Sequence, residues 1–369
     1  MKIGIDARFV GPSGTGLGKY TEKLIENLQK IDKKNQYSIF LKTDNWSYLN
    51  LTNKNFQKVL ADVPWYSVSE QLKMPSIFAL AKLDVLHVPH FNVPYFYRGK
   101  FIVTIHDLIH HDFSQESATT RNPLVFKFKR FGYKSVISKA VLKSTKIITP
   151  SNFVKGEIVK TFDVDPQKIV VTYEAAEEEY FNHKLSTTNH KPFILYVGNA
   201  YPHKNLNHLL DAFKILTTDH QLGTINLIIV CPRDVFWQRL QQEITNRNLE
   251  NNVEMKGYLG SIDLSKLFSQ SIAYVFPSLS EGFGIPGLNA MAASVPLIAS
   301  NIPTLKEIYG DAAMYFDPKN PKDIAEKIKK ILSSDKIRSE LVEKEKSQVK
   351  KYSWQKMAEE TLKVYESQA

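Results

Sequence analysis

The chain has 369 residues, 43% of them hydrophobic and 23% charged, with a net charge of +10 and one cysteine. That length exceeds what a single hydrophobic core usually supports, so two domains are expected, and the composition excludes a disordered or fibrous protein. The lone Cys231 excludes an internal disulfide framework and suits a reducing cytoplasm, while "MKIGIDARFV" does not read as a secretory leader and no run of about 18 apolar residues occurs.

Apolar runs alternate with helix-like stretches along the chain, as in βαβ units built on parallel sheets. In the first half, strands are predicted at "KIGIDARF", "YSIFLK", "VLHVP", "FIVTIHD", "KIITPS" and "KIVVTY", and amphipathic helices at about 18–30, 69–82, 121–143 and 152–162. The first strand runs into "GPSGTGLGKY" (11–20), a glycine loop that opens a helix. Gly14, Gly16 and Gly18 lack the spacing of a dinucleotide fingerprint, and the loop lacks the Lys-Ser/Thr of a P-loop; alone it fits a ligand contact or a plain tight turn. "TIHD" (104–107) ends an apolar strand, so His106 sits where α/β folds place reactive groups, with a hydrogen-bonded structural histidine as the alternative. His110, His111 and Asp112 follow, but their spacing is not that of a zinc motif, and no metal site is expected.

From Arg121 to Lys146 there are eight Lys and Arg residues, no acid, and the interleaved aromatics Phe126, Phe128, Phe131 and Tyr133. An anionic membrane surface or a solvated helix face accounts for such a segment. No nucleic-acid motif accompanies it, so a nucleic-acid partner is not expected. Ser151 is a natural N-cap for the helix after "KIITP".

After Tyr173 the texture turns acidic and then polar, "EAAEEEYFNHKLSTTNHKP", and reads as a linker. A second alternation follows through "FILYVGN", "NLIIVC", "VEMKGYL", "AYVFPS" and "VPLIAS", with helices near 205–217, 234–246, 262–270, 286–293 and 303–309 and a helical tail over 321–369. In "YVGNAYPHKNL" (196–206) a strand ends at Gly198 and Asn199, and Lys204 precedes the next helix, either solvated or offering its ammonium to a diphosphate. "SLSEGFGIPGLNAMAAS" (278–294) carries a strand into a helix whose first turn holds Pro286. Gly282 and Gly284 permit close backbone approach, and a helix start presents unpaired N–H groups to an anion. Glu281 cannot itself bind phosphate; it accepts hydrogen bonds from hydroxyls or caps the helix.

Together "GTGLGKY", "HDL", "VTYEAA", "YVGNAYPHKNL" and "EGFGIPGLNAMA" resemble the retaining, nucleotide-sugar-dependent glycosyltransferases of family four, in the right order over essentially the whole chain. The resemblance implies the α/β GT-B fold: two Rossmann-like doubly wound domains facing a cleft, with the C-terminal helix crossing back to the N-terminal domain. It implies an acceptor-binding domain over 1–175 joined by 352–369, and a nucleotide-sugar domain over 190–350. By position, Glu281 would contact hydroxyls of the transferred sugar. N–H groups around Gly282, Phe283, Gly284, Ile285 and Pro286 would hold the diphosphate. Lys204 would neutralise the leaving phosphate, and His106 would lie beside the sugar's primary hydroxyl. Gly16 would approach the diphosphate or acceptor, and Gly257, Tyr258 and Leu259 would flank the base. Asn289 stands where the family has a glutamate for the ribose diol, and Asn199 where many relatives have an arginine. The implied activity is transfer of a hexose-type sugar, mannosyltransferase-like, from a nucleoside-diphosphate sugar to a glycan or lipid-linked acceptor of a surface polysaccharide. No metal or other cofactor is implied. The implied location is the cytoplasm, at the inner membrane face through 121–146. An epimerase or hydrolase of the same fold, or a degenerate nucleotide-sugar-binding protein, are the alternatives.

Overall fold

A computed structural model describes residues 1–11, 14–109, 123–181, 192–218 and 225–369, with the backbone alone at Thr15 and 123–131. The chain divides into two compact units, Met1–Glu174 with Ser353–Ala369, and Ala175–Tyr352.

In the first unit the elements are β1 (Lys2–Asp6), α1 (Thr15–Ile31), β2 (Gln36–Leu41), β3 (Phe56–Leu60), α2 (Val68–Leu80), β4 (Val85–Val88), β5 (Phe101–Thr104), α3 (Pro123–Lys143), β6 (Lys146–Thr149), α4 (Asn152–Phe162) and β7 (Ile169–Val171). Among the described residues, seven parallel strands pair in the order β3-β2-β1-β4-β5-β6-β7. The central strands are apolar on both faces because helices cover both, and β4 and β5 are buried throughout. Ser151 caps α4 by accepting the Val154 N–H at 3.2 Å. The sequence pattern missed β3, "FQKVL", whose polar, half-exposed residues mark a sheet edge.

The second unit comprises β8 (Phe193–Val197), α5 (Leu206–Thr217), β9 (Asn226–Val230), α6 (Val235–Asn246), β10 (Val253–Lys256), α7 (Ser261–Gln270), β11 (Ala273–Phe276), α8 (Ile285–Ala292), β12 (Leu297–Ser300), α9 (Pro303–Tyr309), β13 (Met314–Phe316), α10 (Pro321–Leu332) and α11 (Asp335–Val349). Its six described strands are parallel in the order β10-β9-β8-β11-β12-β13. The core lies between sheet and helices, with Phe213, Leu227, Val275, Ile298 and Ile328 buried together. The stretch read as a linker is folded at its start: Ala175, Ala176 and Tyr180 are buried, Tyr180 edge-on to Phe268 at 5.2 Å, so this unit begins at 175 rather than 190.

The last helix, α12 (Trp354–Glu366), packs against α1 in the first unit. Buried Tyr365 brings its hydroxyl 2.6 Å from His87 Nδ1, and the other ring nitrogen meets Thr104 Oγ1 at 2.8 Å. Burial pushes the His87 pKa down to about 3, so the ring is neutral and the helix is tied to β4 and β5 by a neutral network.

Both sheets have the doubly wound order that reverses direction beside the first strand of the unit. Loops leaving the strands at that reversal diverge and open a crevice, which lies between β1 and β4 in one unit and between β8 and β11 in the other.

Candidate active site

In the second unit the loops after β8 and β11 are stitched together. The Leu279 N–H donates to the His203 carbonyl at 2.8 Å, and Asn205 Nδ2 donates to the carbonyls of Pro277 at 3.0 Å and Pro318 at 2.7 Å. Asn205 adopts φ +61 to start α5, a conformation asparagine tolerates better than most residues. Three buried tyrosine hydroxyls donate upward into the same loops: Tyr196 to Asn199 O at 2.8 Å, Tyr274 to Val197 O at 3.1 Å and Tyr309 to Gly284 O at 2.6 Å. Burial raises all three phenols well above their ordinary 10, so each remains a donor. Gly284 sits at φ +106, and a Cβ on Gly284 or Gly287 would run into the Tyr309 hydroxyl, so the glycines are demanded by this packing.

The loops place Lys204 Nζ 2.5 Å from Glu281 Oε1, with both side chains largely covered, at 14% and 10% exposure. The Glu281 carbonyl is held by the Thr304 hydroxyl at 2.8 Å. At the start of α8, Pro286 has no N–H and the Gly287 N–H is taken by Gly284 O at 3.1 Å. Among the described residues no protein group accepts from the N–H of Gly284 or Ile285. Within Gly284–Gly287 the N–H groups left for an outside acceptor are thus those of Gly284 and Ile285, in the same loop as Glu281, the partner of Lys204. Such a set, a helix start and an ammonium next to a carboxylate, has the chemistry to receive an anion and a polyhydroxyl group side by side.

Asn289 is only 5% exposed, and its Oδ1 accepts from the Glu177 N–H at 3.0 Å. The acceptor oxygen expected to take a ribose hydroxyl is thus committed inside the unit, leaving the amide hydrogens as what it offers a ligand. Asn199 spends its carbonyl on Tyr196, and its Oδ1 faces the Tyr201 N–H at 3.4 Å. Tyr258, after β10, is 72% exposed, and Gly257 leaves room for Arg233, whose Nε would lie 3.1 Å from a Cβ there. Sequence reasoning passed over Arg233, although "CPRD" at the end of a strand was a usable signal.

In the first unit, His106 follows β5 and is gripped on both nitrogens. Nδ1 lies 3.0 Å from Glu174 Oε1 and Nε2 3.1 Å from the Pro89 carbonyl, and Tyr20 meets the ring edge-on at 4.7 Å. Both partners are acceptors, so a sugar hydroxyl would have to displace one of them to bond a ring nitrogen. Glu174 was not foreseen. In the glycine loop, a Cβ on Gly14 or Gly18 would collide with the Phe9 carbonyl, whereas one on Gly16 meets nothing within 4 Å among the described residues. Folding requires the outer two glycines and not Gly16. His110, His111 and Asp112 lie outside the described residues, among which no three His, Cys, Asp or Glu side chains gather as metal ligands. No helix among them is long and apolar enough to cross a membrane.

Residues 15–179 match the family model for Glycosyltransferase Family 4, and residues 177–348 that for Glycosyl transferases group 1. The chain is a family-4 glycosyltransferase. It is 27% identical over 335 residues to the O-antigen chain mannosyltransferase RfbU of Salmonella typhimurium, covering 87% of this chain and 88% of that one. It is 26% identical over 385 residues to O-antigen chain mannosyltransferase B of Escherichia coli, covering 95% and 96%. The fold is that of sucrose-phosphate synthase from Thermosynechococcus elongatus, with a TM-score of 0.79 at 17% identity over 100% of this chain and 98% of that one. The architecture is thus GT-B, and the glycosyltransferase carries its Lys204–Glu281 pair at the strand ends where doubly wound units bind ligands.

Proposed function

We propose that this glycosyltransferase moves a mannosyl residue from a nucleoside-diphosphate sugar to a glycan or lipid-linked acceptor of a surface polysaccharide, with retention at the anomeric carbon. The two O-antigen mannosyltransferases among its relatives support the sugar and the pathway class. The single observation that carries the donor assignment is the Lys204–Glu281 pair beside the unclaimed N–H groups of Gly284 and Ile285.

In the reaction the bond from the anomeric carbon to a β-phosphate oxygen breaks, and a bond to the acceptor hydroxyl oxygen forms on the same face. The acceptor's proton passes to the leaving phosphate. Negative charge grows on that phosphate as the bond lengthens, so fixed donors aimed at it lower the barrier. Lys204 and the two amides supply them, with no metal or cofactor given this task. Glu281 takes hydroxyls of the sugar once Lys204 turns to the diphosphate, and Asn289 donates to the nucleoside. Tyr258 and Arg233 flank the base, while His106 and Gly16 serve the sugar and acceptor. The basic 121–146 segment holds the enzyme at an anionic membrane face in the cytoplasm.

Incubation with mannose esters of several nucleoside diphosphates, with and without a lipid-linked acceptor and with a chelator, tests the proposal. Acceptor-dependent, chelator-insensitive release of nucleoside diphosphate and an axial mannosidic product by NMR are expected. Donor consumption independent of acceptor would point instead to a hydrolase or epimerase.

A further inference from the structure

The first unit holds an aromatic cluster beside the glycine loop that none of the donor chemistry uses. Phe9 stacks on Trp65 at 4.3 Å and lies 5.5 Å from His90, edge to face. Tyr66 closes the cluster, nearly parallel to Phe91 at 5.9 Å, with its hydroxyl 2.7 Å from His90 Nε2. Yet Tyr66 is 59% exposed and sits at φ +54, a backbone conformation that costs any residue with a Cβ.

The strain is held from below. The Tyr66 N–H donates to Glu70 Oε2 at 2.9 Å, and Ser67 caps the same helix by accepting the Glu70 N–H at 3.1 Å. Glu70 is fully buried, and its other oxygen takes Arg8 Nη2 at 2.7 Å and Asn92 Nδ2 at 2.8 Å. Arg8, also fully buried, grips Asp6 through Nε at 2.8 Å and Nη2 at 2.6 Å, and the Val63 carbonyl at 3.0 Å. The left-handed Tyr66 backbone is thus anchored through Glu70 to a desolvated charge network that also ties Asp6, Val63 and Asn92, so the exposed ring is held in one place. The Pro89–His90 step connects it to the candidate site, since the Pro89 carbonyl is bonded by His106 and His90 by Tyr66. Burial and the carboxylates of Glu70 and Asp107 push the Tyr66 phenol above its ordinary 10, so the hydroxyl stays able to donate.

We infer that Tyr66 is the platform of an acceptor subsite, on which the C–H face of the acceptor's sugar ring stacks while the Tyr66–His90 edge bonds its hydroxyls. Sugars suit such a place because one face is apolar and the rim is polar. The inference rests on the glycosyltransferase reading, and its test does not depend on turnover.

Titration of the full chain with disaccharides of mannose, glucose, galactose and N-acetylglucosamine, read by saturation-transfer NMR, is compared with Tyr66→Gly and Tyr66→Phe. Glycine relieves the left-handed backbone, so Tyr66→Gly should melt no lower than the wild type and bind the disaccharides about tenfold or more weakly. Tyr66→Phe, which keeps the ring, should stay within about threefold. Binding unchanged in Tyr66→Gly, an equal loss in both variants, or no binding by the wild type would each overturn the platform. Donor-dependent transfer assayed in parallel reads the parent assignment separately: its absence with binding intact removes the proposed mannosyl transfer and leaves Tyr66 as a sugar-binding platform.

Discussion

Lys204 Nζ and Glu281 Oε1, 77 residues apart in sequence, meet at 2.5 Å at the ends of neighbouring strands β8 and β11. The pair is poised because each member has another task in the proposed reaction, the ammonium for phosphate and the carboxylate for sugar hydroxyls. Glu281→Gln keeps the shape and a hydrogen bond to Lys204 but removes the charge-assisted grip. It should lower kcat/KM for transfer about a hundredfold or more while moving the melting temperature by less than about 4 °C. A large melting shift with normal turnover would assign Glu281 to structure alone.

Gly16 and Gly287 should separate sharply. Gly287→Ala drives a methyl into the Tyr309 hydroxyl and should cost about 1–3 kcal/mol in denaturant unfolding. Gly16→Ala meets nothing among the described residues in the first turn of α1 and should leave stability equal or slightly raised, yet reduce transfer if a ligand approaches that backbone. Equal losses of stability in the two variants would contradict the packing described.

Asn289→Glu restores an acid where the family has one. One carboxylate oxygen can keep the Glu177 N–H and the other remains for a ribose hydroxyl, so donor affinity should rise several-fold, on the order of 1 kcal/mol. Calorimetric titration with nucleoside diphosphates checks this; unchanged affinity would place the ribose elsewhere.

Glu345 on α11 is fully buried, accepts the Leu297 N–H at 2.8 Å, and has no partner for its second oxygen among the described residues. Burial raises its pKa well above the ordinary 4.5, so the folded state keeps a proton that the unfolded chain has lost. Stability from this group is therefore present below pH 4.5 and falls as pH rises above it, by about 1.4 kcal/mol per pH unit until the folded carboxyl ionises. Glu345→Gln removes that slope and should be more stable than the wild type at pH 7.5 and little different at pH 4.5, by urea unfolding at both.

The sequence exposes those parts of the site whose signal is local. The "SEGFGIPG" turn declares its strand, its glycines and its helix start within a few residues, and the structure puts Lys204 against Glu281 as one cluster. Partners drawn from distant segments leave no local trace. Glu174 reaches His106 across 68 residues, Glu70 reaches Arg8 across 62, and Tyr309 pins Gly284 from another helix. Tyr180 reads as linker because its neighbours are acids, whereas its ring is buried against Phe268 from a distant helix. Strands β3 and β13 escaped for a related reason: edge strands are short and partly wet, so they lack the apolar run that marks a central strand.

The most direct test of the account is binding of nucleoside diphosphates, compared with the same nucleosides without phosphate, to the wild type and to Lys204→Ala by thermal shift. Diphosphates alone should raise wild-type stability, by about 2.7 kcal/mol at a hundred times the dissociation constant, and Lys204→Ala should lose most of the effect. Nucleosides stabilising as well as their diphosphates, or full diphosphate binding in Lys204→Ala, would contradict it.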